Sequence, residues 1–456
     1  MRWDGRNGRR FPAWHAHRDK NKSLLAPHSK GGLLIILLTG ASGFIGRHLA
    51  DTLQARGHDV IVTSRRPGHA ARPGLRELEA DFSRDIEPAA WLPRLVGVDV
   101  VINAVGILRE SPGQRFDLLH ERAPCALFAA CAEAGVKLVI QLSALGADQH
   151  ATSRYHLSKK AADDYLRWLG LPAVILQPSL VYGADGASAT LFSTLASLPM
   201  LALPGGGRQR VQPVHVDDLC ALVLAVLSAP PASVRTITVA GPQPITLRAM
   251  LAGLRAAMGL GRLHVLPMPM PLARMAASAG TLLPGGLLDA ETLSMLERGN
   301  TGEVADMTAL LGHAPRPLSL FITPAEAPAV RLRAQLNWLL PVLRWSIALV
   351  WIVTGIVSLG LYPVQESYAL LARTGITGAL APLMLYGAAL MDLAFGIGTL
   401  LLKRRRWLWL LQLGLILFYT VVISIRLPEF WLHPYGPLLK NLPMLAAIWL
   451  LYELEK

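Results

Sequence analysis

Three side chains suited to proton transfer lie close together in the sequence. Ser143 ends a predicted strand, and Tyr155 and Lys159 follow it in Tyr-His-Leu-Ser-Lys. Tyr155 and Lys159 are spaced i and i+4, so they share one helix face and the ammonium lies beside the phenol. A neighbouring cation favours the phenolate and is expected to lower the phenol pKa from about 10. We predict Tyr155 as the acid and base, Lys159 as its pKa-lowering partner, and Ser143 as a hydrogen-bond partner of the same substrate oxygen.

This spacing also occurs in ordinary amphipathic helices, so its meaning depends on the elements that position it. The apolar run Leu33 to Leu38 predicts a strand buried on both faces. A G-x-x-G-x-x-G turn follows, then a predicted helix, Phe44 to Arg56, and a second strand, Val60 to Thr63. This order predicts a dinucleotide site in which the helix amides face the pyrophosphate. The predicted phosphate-binding residues are Gly40, Ser42, Gly43, Phe44, Ile45 and Gly46.

The end of the second strand indicates which nicotinamide cofactor binds. An acidic residue there accepts the ribose 2′-hydroxyl of NAD, whereas arginine pairs with the 2′-phosphate of NADP. The sequence reads Thr63-Ser64-Arg65-Arg66, and Arg47 could add another positive charge. We therefore predict that Arg65 and Arg66 favour NADP over NAD. The alternative is that these arginines are solvated surface charges.

Further strands are predicted at Asp99 to Asn103, Leu138 to Ser143 and Val174 to Gln177, separated by stretches long enough for crossover helices. The predicted fold is an α/β, doubly wound parallel sheet. Asp81 and Phe82 are predicted to cover the adenine, and Asn103 to Gly106 to let the backbone pass close to the cofactor. Both stretches could instead be ordinary strand-end turns.

These motifs together resemble the short-chain dehydrogenase/reductase superfamily in its extended and atypical branch, over roughly Leu33 to Ile322. The resemblance implies that Ser143, Tyr155 and Lys159 match the catalytic triad, and that Lys159 also binds the nicotinamide ribose. Two further stretches look like landmarks of that branch, Gln177-Pro178-Ser179-Leu180-Val181-Tyr182-Gly183 and Pro213-Val214-His215-Val216-Asp217-Asp218. We interpret His215 and Asp217 as structural.

Within that branch the chain resembles the atypical members that include the nucleotide-binding accessory subunit of respiratory complex I. The stretches that carry this resemblance are Asn103 to Gly106, Ser143 to Ala147 and Met295 to Asn300. The resemblance implies that NADPH can bind without turnover. Gln177 departs from the arginine that extended relatives carry before the proline, so the mechanism for nucleotide-sugar substrates does not transfer directly.

Composition limits the classes of partner. Many of the basic residues behind the net charge of +13 sit in the N-terminal tail or beside apolar runs, which favours an anionic membrane surface over nucleic acid. Residues 1–32 contain no apolar segment of signal-peptide length, so they are interpreted either as a basic disordered tail or as the result of an upstream start codon. The cysteines Cys125, Cys131 and Cys220 form no C-x-x-C pair, so no metal site and no structural disulfide are predicted.

The predicted Rossmann domain, residues 33–322, ends in a small C-terminal substrate-side subdomain. A Pro- and Met-rich run occurs at Val265 to Leu288. Flexible thioethers suit an adaptable apolar pocket, although methionine in such a run is more often core filler. If the run lines a pocket, the substrate is lipophilic.

The last third of the chain is predicted to be an all-α bundle of four transmembrane helices, residues 341–456, after a linker at residues 323–340. The predicted spans are 345–361, 379–402, 407–425 and 438–452. Its segment from Arg426 to Leu442 resembles the DoxX-like membrane domain, and that resemblance covers roughly Trp345 to Tyr452.

The basic loop Lys403-Arg404-Arg405-Arg406 sets the predicted orientation, because short basic loops stay cytoplasmic. Four spans then place the Rossmann domain and both termini in the cytoplasm of a multi-pass plasma-membrane protein. Asp392 falls in the middle of the second span. It is either a proton- or quinone-contacting group or a hydrogen-bonded residue that fixes helix packing.

These features together predict a membrane-anchored NADP(H)-dependent oxidoreductase that acts on a lipophilic carbonyl or alcohol and contacts membrane lipid. Two alternatives remain open. One is a non-catalytic NADPH-binding sensor or assembly factor with a partner in a membrane complex. The other is an epimerase or dehydratase that keeps its cofactor bound.

Overall fold

A computed structural model describes residues 32–68, 74–280 and 290–455 of the chain. The predicted basic tail and part of the Pro- and Met-rich run fall outside the described residues. The chain divides into two compact units, residues 1–331 and 332–456.

The first unit is built on a seven-stranded sheet in which every neighbouring pair is parallel. Its strands are β1 (Ile35–Thr39), β2 (Asp59–Ser64), β3 (Arg76–Glu79), β4 (Val100–Asn103), β5 (Leu138–Leu142), β6 (Ala173–Pro178) and β11 (Arg235–Val239). The strand order is β11-β6-β5-β4-β1-β2-β3. The order reverses at β1 and β4, which is the switch point of a doubly wound sheet. The predicted fold class of this unit is confirmed.

Helices cover both faces of this sheet. Along β1, Ile36 and Leu38 pack on one face with α1 (Phe44–Ala55) and α6 (Val216–Ser228), and Leu37 packs on the other face with α3 (Ala123–Ala134) and α4 (Arg154–Leu169). All three β1 side chains have 0% exposure, so each contributes about 1.5–3 kcal/mol through burial. Two apolar layers therefore hold the strand ends in fixed positions.

Smaller elements complete the first unit. The remaining helices are α2 (Pro88–Trp91), α5 (Ala187–Ser197), α7 (Leu247–Ala257), α8 (Met270–Gly280), α9 (Ala290–Arg298) and α10 (Ala305–Leu311). The short strands are β7 (Val181–Tyr182), β8 (Met200–Pro204), β9 (Arg210–Val211), β10 (Val214–His215), β12 (Ile245–Thr246) and β13 (His264–Met268). They pair as β10 with β7, β12 with β9, and β13 with β8. His215 caps α6 by accepting a hydrogen bond from the Asp217 amide at 3.3 Å.

The second unit is helical. Its helices are α11 (Ala327–Ile356), α12 (Val364–Arg373), α13 (Leu380–Leu401), α14 (Arg406–Arg426) and α15 (Asn441–Leu454). Helix α11 continues as a π-helical turn to Leu361. Among the described residues, three helices are long and apolar enough to cross a membrane: Ala327–Leu361, Leu380–Leu401 and Arg406–Arg426.

Three details of this unit differ from the prediction. The fourth predicted span is the helix α15, whose 14 residues extend about 21 Å, short of a hydrocarbon core of about 30 Å. Most of the predicted linker 323–340 is helix, because Pro328 falls in the first turn of α11, where a missing amide is tolerated. The amphipathic helix α12 was not predicted.

Ion pairs lie at both ends of the helical unit. At one end Glu455 pairs with Arg344 and lies 3.8 Å from Arg405. At the other end Arg373 pairs with Glu429. The start of the first predicted span, the 403–406 loop and the chain end therefore lie together, so successive spans run in opposite directions.

Small residues let α11 and α13 approach closely inside the unit. A Cβ added at Gly396 would lie 2.4 Å from Ile352 Cγ1, and one added at Gly355 would lie 2.9 Å from the Ala389 carbonyl oxygen. Asp392 of α13 lies near Thr354 of α11, whose hydroxyl donates to the Val350 carbonyl of its own helix at 2.8 Å. Small residues and interhelical hydrogen bonds are how apolar helices associate in lipid.

Candidate active site

The candidate site lies at the carboxyl ends of β1, β4 and β5, where a chain of buried polar side chains crosses the sheet. Thr39 Oγ1 donates to Asn103 Oδ1 at 2.7 Å, and Asn103 Nδ2 donates to Gln141 Oε1 at 2.7 Å. All three residues have 0% exposure. Asn103 also accepts from the Val105 amide at 3.3 Å. Its side chain therefore shapes the loop to Gly106 rather than presenting a free amide to a ligand.

The glycine turn after β1 is compact enough that side chains cannot be added to it. Gly40 has φ +76, and a Cβ there would lie 2.6 Å from the Ala104 carbonyl carbon. A Cβ on Gly46 would lie 2.1 Å from the Gly40 carbonyl oxygen. Gly43 is the N-cap of α1 and has no side chain to satisfy the first helix amides. The turn thus leaves the amides of Phe44 and the following residues available for an anion, which fits a dinucleotide pyrophosphate.

Charge near this turn is arranged differently from the prediction in one respect. Arg47 does not stand as a free cation, because its Nη2 lies 3.1 Å from Asp185 Oδ2. The same carboxylate contacts His48 at 2.9 Å. Arg47 therefore ties α1 to the 185 loop, and its charge is already offset.

The end of β2 presents two exposed arginines, Arg65 and Arg66. The Arg66 amide donates to Ser64 Oγ at 3.2 Å, which turns the chain out of the sheet. Burial favours the neutral form of Asp81, but hydrogen bonds from Ser83 and the charges of Arg84 and Arg65 keep its pKa below the usual range. Arg65 therefore lies close enough to Asp81 to interact with it electrostatically.

Asp81 and Phe82, the two residues predicted to cover the adenine, both already have partners within the protein. Asp81 Oδ1 accepts from both the amide and the hydroxyl of Ser83, at 2.9 and 2.7 Å. Phe82 is 6% exposed and packs edge-on against Trp91 at 5.2 Å in the core. The Phe82 ring therefore serves core packing, and the contact of Asp81 and Phe82 with the adenine stays a prediction.

Tyr155 lies in the first turn of α4 within a ring of aromatic side chains. The centroids of His120 and Phe116 lie 5.6 and 6.1 Å from its ring, and that of His156 lies 5.3 Å away. Burial raises the pKa of Tyr155 to about 12, and the negative charge of Asp163 acts in the same direction. The expected lowering of this pKa by Lys159 is not found, because burial and the Asp163 charge both raise it. At neutral pH the phenol is protonated, as a proton donor must be.

Lys159 is 4% exposed and is held by two strand ends. Its Nζ donates to the Val105 carbonyl at 3.0 Å and to the Leu142 carbonyl at 3.1 Å. Burial lowers the pKa of Lys159 to about 8, and the Asp163 carboxylate opposes that shift. A Cβ on Gly106 would lie 3.0 Å from Nζ, so this glycine is needed for the close packing of the 105 loop on the lysine.

Ser143 follows β5 and contacts a residue that the sequence interpretation did not include. Its Oγ donates to Asp163 Oδ2 at 2.5 Å. Asp163 has 0% exposure, and its Oδ1 has no partner among the described residues. The signal for Asp163 was present in the sequence, because it follows Lys159 by one further helical turn on the same face.

His120 is a second residue missed from the sequence. Its Nδ1 pairs with Ser158 Oγ at 2.9 Å, and its Nε2 accepts from the Ile107 amide at 3.0 Å. Burial lowers the pKa of His120 to about 2, and the charge of Lys159 acts in the same direction. This neutral imidazole fixes the loop beside Tyr155.

The loop after Ser143 is held from the other side of the site. Arg298 Nη1 donates to the Gly146 carbonyl at 2.8 Å, and its Nη2 contacts both carboxylate oxygens of Asp148. Arg298 belongs to α9, so the small C-terminal elements of this unit brace the loop that carries Ser143.

Each of the two units contains a region that matches a known protein family. Residues 36–240 match the NAD dependent epimerase/dehydratase family, and residues 348–449 match the DoxX-like family. Ceramide reductase of Caulobacter vibrioides is 29% identical over 299 residues, which cover 64% of this chain and 87% of that protein. Subunit 9 of the NADH dehydrogenase [ubiquinone] 1 alpha subcomplex of Arabidopsis thaliana is 29% identical over 224 residues, which cover 47% of this chain and 55% of that protein.

Solved structures support the fold of the first unit. A nucleoside-diphosphate-sugar epimerase from Staphylococcus aureus aligns with a TM-score of 0.53 at 18% identity, covering 63% of this chain and 99% of that one. By these family matches, the first unit carries an NAD-binding domain of the epimerase/dehydratase, short-chain dehydrogenase/reductase type, and the chain carries a DoxX-like domain at its C-terminal end.

Proposed function

We propose that this protein is an NADP(H)-dependent reductase that acts on a lipophilic carbonyl compound at the cytoplasmic face of the plasma membrane. The observation that carries the proposal is the assembly of Ser143, Tyr155 and Lys159 beside the glycine turn, in a chain with three helices of membrane-spanning length. The similarity to a protein named ceramide reductase supports a lipid substrate.

The site residues have distinct parts in this reaction. The glycine turn at Gly40, Gly43 and Gly46 would hold NADPH, which when bound would supply hydride for the carbonyl carbon. Tyr155 donates its phenolic proton to the carbonyl oxygen, which suits a phenol held protonated at neutral pH. Lys159, fixed by the Val105 and Leu142 carbonyls, stabilises the negative charge that develops on the phenol oxygen.

An assay of the full chain in lipid nanodiscs tests this function. NADPH consumption is followed with 2-decanone, with a membrane lipid extract and with a UDP-sugar. Oxidation of NADPH with either of the first two supports the reductase. Conversion of the UDP-sugar to an isomer without net NADPH loss would replace it by an epimerase. Tight NADPH binding with no turnover would favour the binding protein suggested by similarity to the complex I subunit.

The preference for NADP is expected to depend on Arg65. An arginine–phosphate contact contributes about 1.5–3 kcal/mol, so Arg65→Ser should raise the NADPH dissociation constant about 10-fold or more. NADH has no 2′-phosphate, so its dissociation constant should not change. Arg56→Ser is the matched control, because Arg56 lies at the C-terminal end of α1, whereas the glycine turn lies at its N-terminal end. Equal weakening of NADPH and NADH, measured by fluorescence titration, would contradict a 2′-phosphate contact.

The predicted membrane topology determines which side of the membrane each reporter fusion should detect. A fusion after Arg406 is expected to report cytoplasm, because four basic residues occupy this short loop. A fusion after Trp431 is expected to report the opposite side. Since Glu455 pairs with Arg344 at the end that holds the basic loop, a C-terminal fusion should agree with the one after Arg406. A non-cytoplasmic signal after Arg406 would reverse the whole assignment.

A further inference from the structure

The contact between Ser143 and Asp163 is the least expected feature of the site. A serine hydroxyl carries one proton and two acceptor lone pairs. In this structure that proton points to Asp163 Oδ2 at 2.5 Å, a distance typical of a strong hydrogen bond to a carboxylate. Ser143 therefore has only lone pairs left for a substrate.

Asp163 is enclosed by α4 and the neighbouring strand end. It has 0% exposure, and its Oδ1 has no partner among the residues that the structure covers. A buried carboxylate keeps its charge only when nearby groups compensate for the lost hydration. Here the compensating groups are the Ser143 hydroxyl, the Arg167 guanidinium and the Lys159 ammonium.

We propose that Asp163 is a positioning residue that sets the direction of the Ser143 hydrogen bond and thereby decides whether Ser143 binds an alcohol or a carbonyl oxygen. When Asp163 is ionised, Ser143 donates to it and can only accept from a substrate hydroxyl. When Asp163 takes up one proton from solvent, its carboxyl O–H donates to Ser143, and the Ser143 proton is released to a substrate carbonyl. This inference rests on the proposed reductase function.

The electrostatic surroundings place this change in an accessible pH range. Burial raises the pKa of Asp163 to about 6, and the hydrogen bond from Ser143 and the charges of Arg167 and Lys159 work against that rise. Asp163 is therefore protonated below about pH 6 and ionised above it. The titratable and charged groups around it on α4 are Tyr155, Lys159, Asp164 and Arg167. From other elements, Ser143 faces it after β5, and His120 faces Lys159 from the π-helical segment Asp117–Arg122.

A matched pair of ligands tests the direction of this hydrogen bond. The wild-type protein is titrated at about pH 5 and about pH 8 with 2-decanol in the presence of NADPH and with 2-decanone in the presence of NADP+, so that neither ligand is converted. We expect 2-decanol to bind more tightly at the higher pH and 2-decanone at the lower pH, each by up to about 10-fold, the value of one hydrogen bond. In Asp163→Asn, whose amide can donate to Ser143 at any pH, the affinity for both ligands should lose this pH dependence.

The neighbouring variant Asp164→Asn is the control, because Asp164 pairs with Lys160 and Arg167 rather than with Ser143. It should keep the opposite pH dependences of the two ligands, with the midpoint moved to lower pH, because the Asp164 charge raises the pKa of Asp163. If Asp163 only stabilised the fold, Asp163→Asn would weaken both ligands equally at both pH values. That result, or an unchanged pH dependence in Asp163→Asn, would overturn the proposal.

An infrared measurement separates this inference from the proposed function. The difference spectrum between about pH 5 and about pH 8 should contain a carboxylic acid carbonyl band that is lost in Asp163→Asn and shifted in Ser143→Ala. If the band behaves so but neither ligand binds, the hydrogen-bond switch stands and the reductase function fails. If the ligands bind and react but Asp163→Asn removes no band, the reductase stands and the switch is wrong.

Discussion

Replacing Tyr155 with phenylalanine is expected to lower the rate of NADPH-dependent carbonyl reduction by about 10²- to 10⁴-fold, the usual contribution of a positioned acid. The change removes one oxygen from a half-buried ring that His120, Phe116 and His156 already hold in place. The fold and the NADPH affinity should therefore stay near their wild-type values. Single-turnover oxidation of NADPH, followed by its absorbance, measures the rate of the chemical step directly.

Tyr165→Phe is the matched control, because it removes the same oxygen from the same helix, in the core of the unit, where the ring packs against Trp168. This variant should reduce substrate at close to the wild-type rate. A Tyr155→Phe protein that keeps full activity would exclude the phenol as the proton donor. Full complementation by that variant in cells would then favour a role that needs only NADPH binding.

Gly46→Ala is expected to abolish high-affinity NADPH binding, with a rise in the dissociation constant of at least about 100-fold, or about 2.7 kcal/mol. The added Cβ would lie 2.1 Å from the Gly40 carbonyl oxygen and 2.7 Å from its carbonyl carbon. Both are backbone atoms, so the glycine turn itself must move away from α1. Overpacking of this kind also lowers the free energy of unfolding by about 1–3 kcal/mol.

Isothermal titration with NADPH and thermal unfolding in detergent measure the two effects separately. Gly261→Ala is the control, because a Cβ there meets open space. It should bind NADPH normally and unfold at the wild-type temperature. Wild-type NADPH affinity in Gly46→Ala would show that the turn does not hold the pyrophosphate.

The two units differ in how directly their sequence predicts their structure. The strands β1, β4, β5 and β6 are short, almost continuous apolar runs, so their burial on both faces follows from composition. The glycine spacing at positions 40, 43 and 46 is equally direct, because each glycine avoids a specific backbone contact. In the helical unit, hydropathy predicts where the apolar helices lie, and it misses α12, whose residues are mostly polar on one face.

The predicted linker and the fourth predicted span show that local sequence patterns did not fix where the helices begin. Prolines between residues 323 and 340 indicated an extended linker, yet Pro328 lies in a first helical turn and Pro341 lies inside α11. Apolar length indicated a span at 438–452, whereas the helix begins only at Asn441. A proline or a run of leucines has a different meaning at a helix start and in a helix interior, and the sequence pattern does not state which applies.

The sequence by itself determined the Rossmann sheet, the glycine turn, the basic 403–406 loop and the candidate residues Ser143, Tyr155 and Lys159. All of these depend on short-range spacing, which residue types report directly. Tertiary structure alone decided which partners these residues have. It placed Phe82 in the core, paired Arg47 with Asp185, surrounded Tyr155 with rings that raise its pKa, and directed the Ser143 proton to Asp163. Hydration and hydrogen-bond direction depend on neighbours distant in the chain, so they emerge only when the strands and helices pack.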